Sequence, residues 1–126
     1  MMSLKKQGYI QDIVSPNGGK TPIEPKSLVP LVADKSVKRP RKRSSFYYAA
    51  GKILLSLPDI NWQDYDVIYY TGGHGVMWDF LDNPELQEIT KNIYEKGGIV
   101  SSVCHGYCGL LNVRLSNGER LIKGKS

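Results

Sequence analysis

The chain has little cysteine, little histidine and no long apolar run, and each shortage removes a class of function. Two cysteines and two histidines in 126 residues do not make a disulfide-stapled scaffold. Cys104, His105, Cys108 and His74 are metal-ligating residue types, but the three-residue gap between the cysteines is not that of a zinc knuckle, so no metal is expected. No segment approaches the ~20 apolar residues of a membrane span, and no membrane association is expected. Lys5 and Lys6 follow Met1–Leu4 without the apolar region of a signal peptide. The expected compartment is therefore the cytoplasm, whose reducing conditions suit unpaired thiols.

Acidic residues are also fewer than basic ones, 12 against 17, for a formal charge of +5. Six of the 17 basic residues lie between Lys35 and Arg43, which leaves 11 basic against 12 acidic elsewhere. The body is thus nearly neutral and carries one basic insert, over residues 34–45. Like charges repel and Pro40 opposes a helix, so this insert is expected to be disordered. The competing reading is a nuclear-localisation-like or phosphate-contacting patch. No aromatic side chain within the run offers a base-stacking platform, which counts against nucleic acid as a partner.

What is present is enough for one globular domain over residues 1–126, with 40% apolar residues. Its organising stretch is Gly97–Leu111. Ile99–Val103 is a β-branched run suited to a buried strand, and the small residues after it predict a sharp turn into a helix. Cys104 would stand at that turn, facing backbone N–H groups and the positive end of the helix dipole, an environment that favours thiolate. Strand, nucleophile, Gly106 and helix together form a nucleophile-elbow pattern.

Upstream, Asp66–Thr71 predicts a strand that ends at Gly72-Gly73-His74-Gly75. Asn83-Pro84-Glu85 then starts a helix with a cap, a first-turn proline and a favourable charge. Leu86, Ile89, Ile93 and Tyr94 form its apolar stripe, and Gly97-Gly98 ends it. Strand, helix and strand make a βαβ unit, whose strands run parallel and whose glycine turns share one sheet edge, bringing Gly73 near Cys104. Tyr9–Val14 predicts a further strand ending at the Ser15–Gly19 turn. Ser44 or Ser45 caps a helix that runs to about Leu57 and is stopped by Pro58. Asn117-Gly118, between Val113–Ser116 and Glu119–Ile122, predicts a tight hairpin.

Four stretches in order resemble one family: Ile13–Pro22, Asp66–Phe80 with its Thr-Gly-Gly-His-Gly core, the elbow Val103-Cys104-His105-Gly106, and Arg120–Ser126. The chain resembles the ThiJ/PfpI superfamily, relatives of the class I glutamine amidotransferases, and within it the branch of small chaperone-like proteins and glutathione-independent glyoxalases (glyoxalase III). The resemblance implies an α/β fold, an incomplete flavodoxin-like three-layer sandwich with a mostly parallel sheet. It implies Cys104 as nucleophile and the His105 imidazole as base. The backbone N–H groups of His105 and Gly73 would hold an oxyanion, with His74 lining the pocket. Trp78, Asp79 and Phe80 either shape the pocket rim or pack ordinarily. Tyr107 and Cys108 depart from the family's usual proline and small residue. A central strand, a helix and a glutamate are expected before Lys5, and an orienting acid beyond Ser126.

The activity implied is cofactor-free conversion of a small 2-oxoaldehyde such as methylglyoxal into a 2-hydroxy acid. Misfolded proteins as further partners and a homo-oligomer are implied as well. Two other readings stay open: a non-catalytic fragment or decayed copy acting as an interaction module, and nucleic-acid contact through Lys35–Arg43.

Overall fold

The computed structural model describes residues 7–19 and 55–125. The insert at 34–45, the expected caps at Ser44 and Ser45 and most of the helix they would start lie outside the described residues. Residues up to Ser56 belong to one compact unit and those from Leu57 onward to a second.

In the first unit the expected Tyr9–Val14 strand contracts to one residue: Val14 forms a parallel bridge with Leu55, and Ile10 is exposed. The turn that follows is as expected, with the Gly18 N–H donating to the Ser15 carbonyl at 3.0 Å. The helix expected to run to about Leu57 does not include its last residues, because Leu55 is the bridge partner of Val14 and Leu57–Asp59 is a 3₁₀ turn.

The second unit holds the βαβ arrangement. Val67–Tyr70 (β1) and Ile99–Ser102 (β2) pair in parallel, with Val67 opposite Ile99 and Tyr70 opposite Ser102. Between them lie a short helix, Val76–Asp79 (α1), and the crossover helix, Pro84–Glu95 (α2). The side chain of Asn83 accepts the Leu86 N–H at 2.9 Å, and Pro84 opens the first turn. Asn83→Ala is expected to cost about 1 kcal/mol in urea unfolding, because it leaves that N–H without its cap.

Leu86, Thr90 and Ile93 are the buried stripe of α2, with Ile89 and Tyr94 half-buried beside it. The helix stops at Gly97, whose φ of +92° suits glycine. At Gly98 a Cβ would lie 2.6 Å from the Ile93 carbonyl oxygen and 2.8 Å from that of Asp66, so only glycine lets the chain turn from α2 into β2.

The sheet is covered on one face. Tyr70 is buried and reaches Thr90 of α2, whereas Val67, Tyr69 and Ile99 are exposed. Ile99 is 62% exposed and Val103 is also exposed, so the run expected to form a buried strand is exposed at both its ends. Among the described residues, α2 packs against a single face of this pair.

After the elbow the expected hairpin forms with one bridge, Arg114 to Arg120, in place of two four-residue strands. The Leu115 N–H donates to the Glu119 carbonyl at 2.8 Å and the Leu121 N–H to the Val113 carbonyl at 2.9 Å. Glu95 ties this hairpin to the end of α2, accepting from the Ser116 N–H at 2.6 Å and from its hydroxyl at 2.7 Å. Those two donors, the N–H foremost, hold the Glu95 carboxyl below its usual range. A carboxyl depressed on folding stabilises above its unfolded pKa, and that contribution is lost as pH falls through the folded one. Glu95→Gln is therefore expected to lower the thermal midpoint at neutral pH, with the gap to the parent closing below about pH 4.

Candidate active site

The site is built where β1 and β2 end. β2 gives way at Val103, whose N–H donates to the Tyr70 carbonyl at 3.1 Å, and the chain turns at Cys104 with φ of +52°. Cys104 is the sole non-glycine residue with positive φ among those described. A side chain in that conformation is strained, and such strain gathers at functional sites. The Gly106 N–H then returns to the Val103 carbonyl at 2.9 Å and closes the corner.

The helix expected after the corner is present as Cys104–Leu110, wound as a 3₁₀ helix of seven residues. Its two glycines let it approach β1 closely. A Cβ on Gly106 would lie 2.6 Å from the carbonyl oxygens of both Tyr70 and Thr71, and one on Gly109 would run into the Tyr70 ring. The segment therefore lies directly on the end of β1. This winding also separates the two cysteines in environment: Cys104 is exposed and Cys108 is buried, and neither is in a disulfide.

The sulfur of Cys104 lies 3.2 Å from Nδ1 of His105. The His74 ring stands 4.9 Å from the His105 ring, centroid to centroid, at a tilt of 40°. Two imidazoles and one thiol thus meet at the carboxyl ends of the parallel strands, the place where open α/β sheets build their sites. Gly73 is in the same bend as His74, with φ of +123°. The bend reaches the thiol through Gly72, where a Cβ would lie 2.8 Å from Cys104 Cβ and 3.6 Å from its Sγ. Sequence reasoning singled out Gly73 and passed over Gly72. Both glycines permit the turn, and only the approach of the elbow shows which of them must lack a side chain.

Trp78 is 79% exposed, and Asp79 is exposed as well. Phe80 instead packs edge-on against the Tyr70 ring, with centroids 5.4 Å apart, which is the ordinary-packing alternative. Tyr107 is exposed. Among the described residues no three His, Cys, Asp or Glu side chains are grouped to hold a metal ion, and no helix is long and apolar enough to cross a membrane.

A thiol on a strained strand-to-helix corner, paired with an imidazole and faced by a glycine bend, defines a nucleophile-elbow α/β protein. The chain belongs to the DJ-1/PfpI family, whose model matches residues 1–123. It is 40% identical over 83 residues to glyoxalase 3 of Candida albicans, a match covering 65% of this chain and 35% of that protein. It is 33% identical over 129 residues to the glutathione-independent glyoxalase HSP31 of Saccharomyces cerevisiae, covering 98% of this chain and 53% of that one. The crystal structure of glyoxalase III from Candida albicans superposes with a TM-score of 0.84 at 33% identity, over 98% of this chain and 52% of that one. The 24 kDa rapid encystment protein of Francisella tularensis superposes with a TM-score of 0.77 at 33% identity, over 96% and 55%. The fold is thus part of the flavodoxin-like α/β sandwich with a parallel sheet. The chain spans about half the length, or less, of the curated relatives it matches.

Proposed function

We propose that the protein is a glutathione-independent glyoxalase in which Cys104 is the nucleophile. The observation that carries this reading is the placement of an exposed thiol at a positive-φ corner with its sulfur 3.2 Å from His105 Nδ1. Relatives aligned over nearly the whole chain and named glutathione-independent glyoxalases favour it over an interaction module.

In the proposed reaction Cys104 Sγ adds to the aldehyde carbon of a 2-oxoaldehyde, and its proton passes to the His105 imidazole. The product is a hemithioacetal, whose oxygen accepts from the backbone N–H groups of Gly73 and His105 as negative charge develops there. A proton then moves from the former aldehyde carbon to the neighbouring one while the electrons shift between the two carbonyl positions, giving a 2-hydroxy thioester. Water cleaves the thioester, releases the 2-hydroxy acid and restores the thiol. The sequence is internally balanced, with one carbon oxidised and its neighbour reduced, so no external electron acceptor or cofactor takes part. His74, beside the His105 ring, lines the pocket and is available to exchange protons with it.

The reading is tested by incubating purified protein with methylglyoxal in the absence of glutathione. Loss of methylglyoxal matched by formation of lactate is expected. Loss without lactate, as simple adduct formation on lysine and arginine would give, contradicts it.

A further inference from the structure

We propose that Tyr70 is a positioning residue for Cys104, holding the elbow at the height where the sulfur meets the Gly72 bend. The inference rests on Cys104 being the reacting thiol and uses groups that the proposed chemistry does not touch.

Tyr70 is the last residue of β1 and is 3% exposed. Three segments of the site converge on it. Its carbonyl accepts the Val103 N–H at 3.1 Å, one residue before the nucleophile. Its carbonyl and ring form the floor on which Gly106 and Gly109 of the elbow helix lie, too close to admit a Cβ at either position. Its ring also takes the edge of Phe80, the residue that closes α1 after the His74 bend. The carbonyl of Tyr70 therefore meets the thiol-bearing corner, while its ring meets the elbow helix at Gly109 and, through Phe80, the element that follows the second imidazole.

A ring so placed positions its neighbours only if it is itself held, and its hydroxyl is the fixture. Tyr70 Oη lies 2.5 Å from Thr90 Oγ1, and Thr90 Oγ1 donates to the Leu86 carbonyl at 2.7 Å. A hydroxyl has one hydrogen, and Thr90 gives its own to Leu86, so Tyr70 is the donor in the shorter bond. Burial pushes the Tyr70 hydroxyl up to about 12, so the donor keeps its proton. The chain from the Leu86 carbonyl through Thr90 and Tyr70 to the elbow is fully buried at Thr90, which is 0% exposed. It fixes the ring against the long helix of the unit, not against the mobile end of a surface side chain.

Ordinary core packing would explain a buried tyrosine, so the experiment must separate positioning from stability. The two cysteines allow that, because Cys104 is exposed and Cys108, on the same elbow helix, is buried. The rate of iodoacetamide labelling at each is read by mass spectrometry in Tyr70→Phe and in the double variant Tyr70→Phe with Thr90→Val. The double variant exchanges both hydroxyls for apolar groups of similar shape and leaves no buried donor unpaired. In both variants labelling of Cys104 is expected to slow about tenfold, within what a misplacement of about 1 Å can cause, while Cys108 stays protected. A loosened fold gives the opposite pattern, with both thiols labelled faster. That pattern, or an unchanged Cys104 rate in the double variant, overturns the proposal, and so does a double variant that cannot fold. Slowed Cys104 labelling in a protein that makes no lactate from methylglyoxal would support the positioning role and refute the glyoxalase reading separately.

Discussion

Cys104→Ala is expected to lower methylglyoxal turnover by at least about 10⁴-fold, the scale seen when a covalent nucleophile is removed. The His105 imidazole and the proposed N–H donors of Gly73 and His105 would remain, but with no atom to attack the aldehyde they have no intermediate to stabilise. Alanine keeps the Cβ that meets Gly72 and removes only an exposed sulfur. Stability is therefore expected to change by no more than about 0.5 kcal/mol, as for other surface substitutions. Steady-state turnover and urea unfolding of the same preparation measure the two effects together. A Cys104→Ala protein that still converts methylglyoxal at the parent rate would remove the proposed nucleophile.

The largest stability effect is expected at Gly106. Alanine there would set a methyl group 2.6 Å from the carbonyl oxygens of Tyr70 and Thr71. Both contacts are backbone, and the Tyr70 carbonyl is already held by Val103. Neither can swing aside as a flexible side chain would, so the elbow must lift from β1. Overpacking of this kind costs about 3 kcal/mol, a large part of the stability of a small domain. Gly118 is the contrast. No atom lies within 4 Å of a Cβ built there, and alanine meets only the strain of φ at +82°, about 1 to 2 kcal/mol. Urea unfolding of Gly106→Ala beside Gly118→Ala separates a steric requirement from a conformational one.

These two glycines also show what the sequence could and could not tell. The Asn117-Gly118 turn and the Asn83-Pro84-Glu85 helix start are local signals, set by a few residues, and both appear where expected. The parallel pairing of β1 and β2 was legible for the same reason, since the crossover helix between them is marked at both ends. The elbow was legible because a β-branched run meets small residues around a cysteine.

What escaped notice depends on segments distant in sequence. Tyr9–Val14 has strand composition, yet among the described residues it is Val14 that forms a strand-like bridge, with Leu55. The helix expected after Cys104 is a 3₁₀ helix, and its Gly106 and Gly109 lie against Tyr70, 36 and 39 positions earlier, a contact that spacing does not reveal. Tyr70 itself looked like one more aromatic residue in a strand. Its importance comes from four segments meeting at its carbonyl, ring and hydroxyl, which no spacing in the chain announces.

The most direct test of Cys104 as the nucleophile is a competition at its sulfur. Iodoacetamide labelling of the unmodified protein is followed by mass spectrometry at Cys104 and Cys108, with and without methylglyoxal and with no glutathione present. If the aldehyde is attacked at this position, methylglyoxal slows labelling of Cys104 in proportion to its concentration, and Cys108 remains unlabelled throughout. Labelling of Cys104 at one rate whether or not methylglyoxal is present would contradict the assignment.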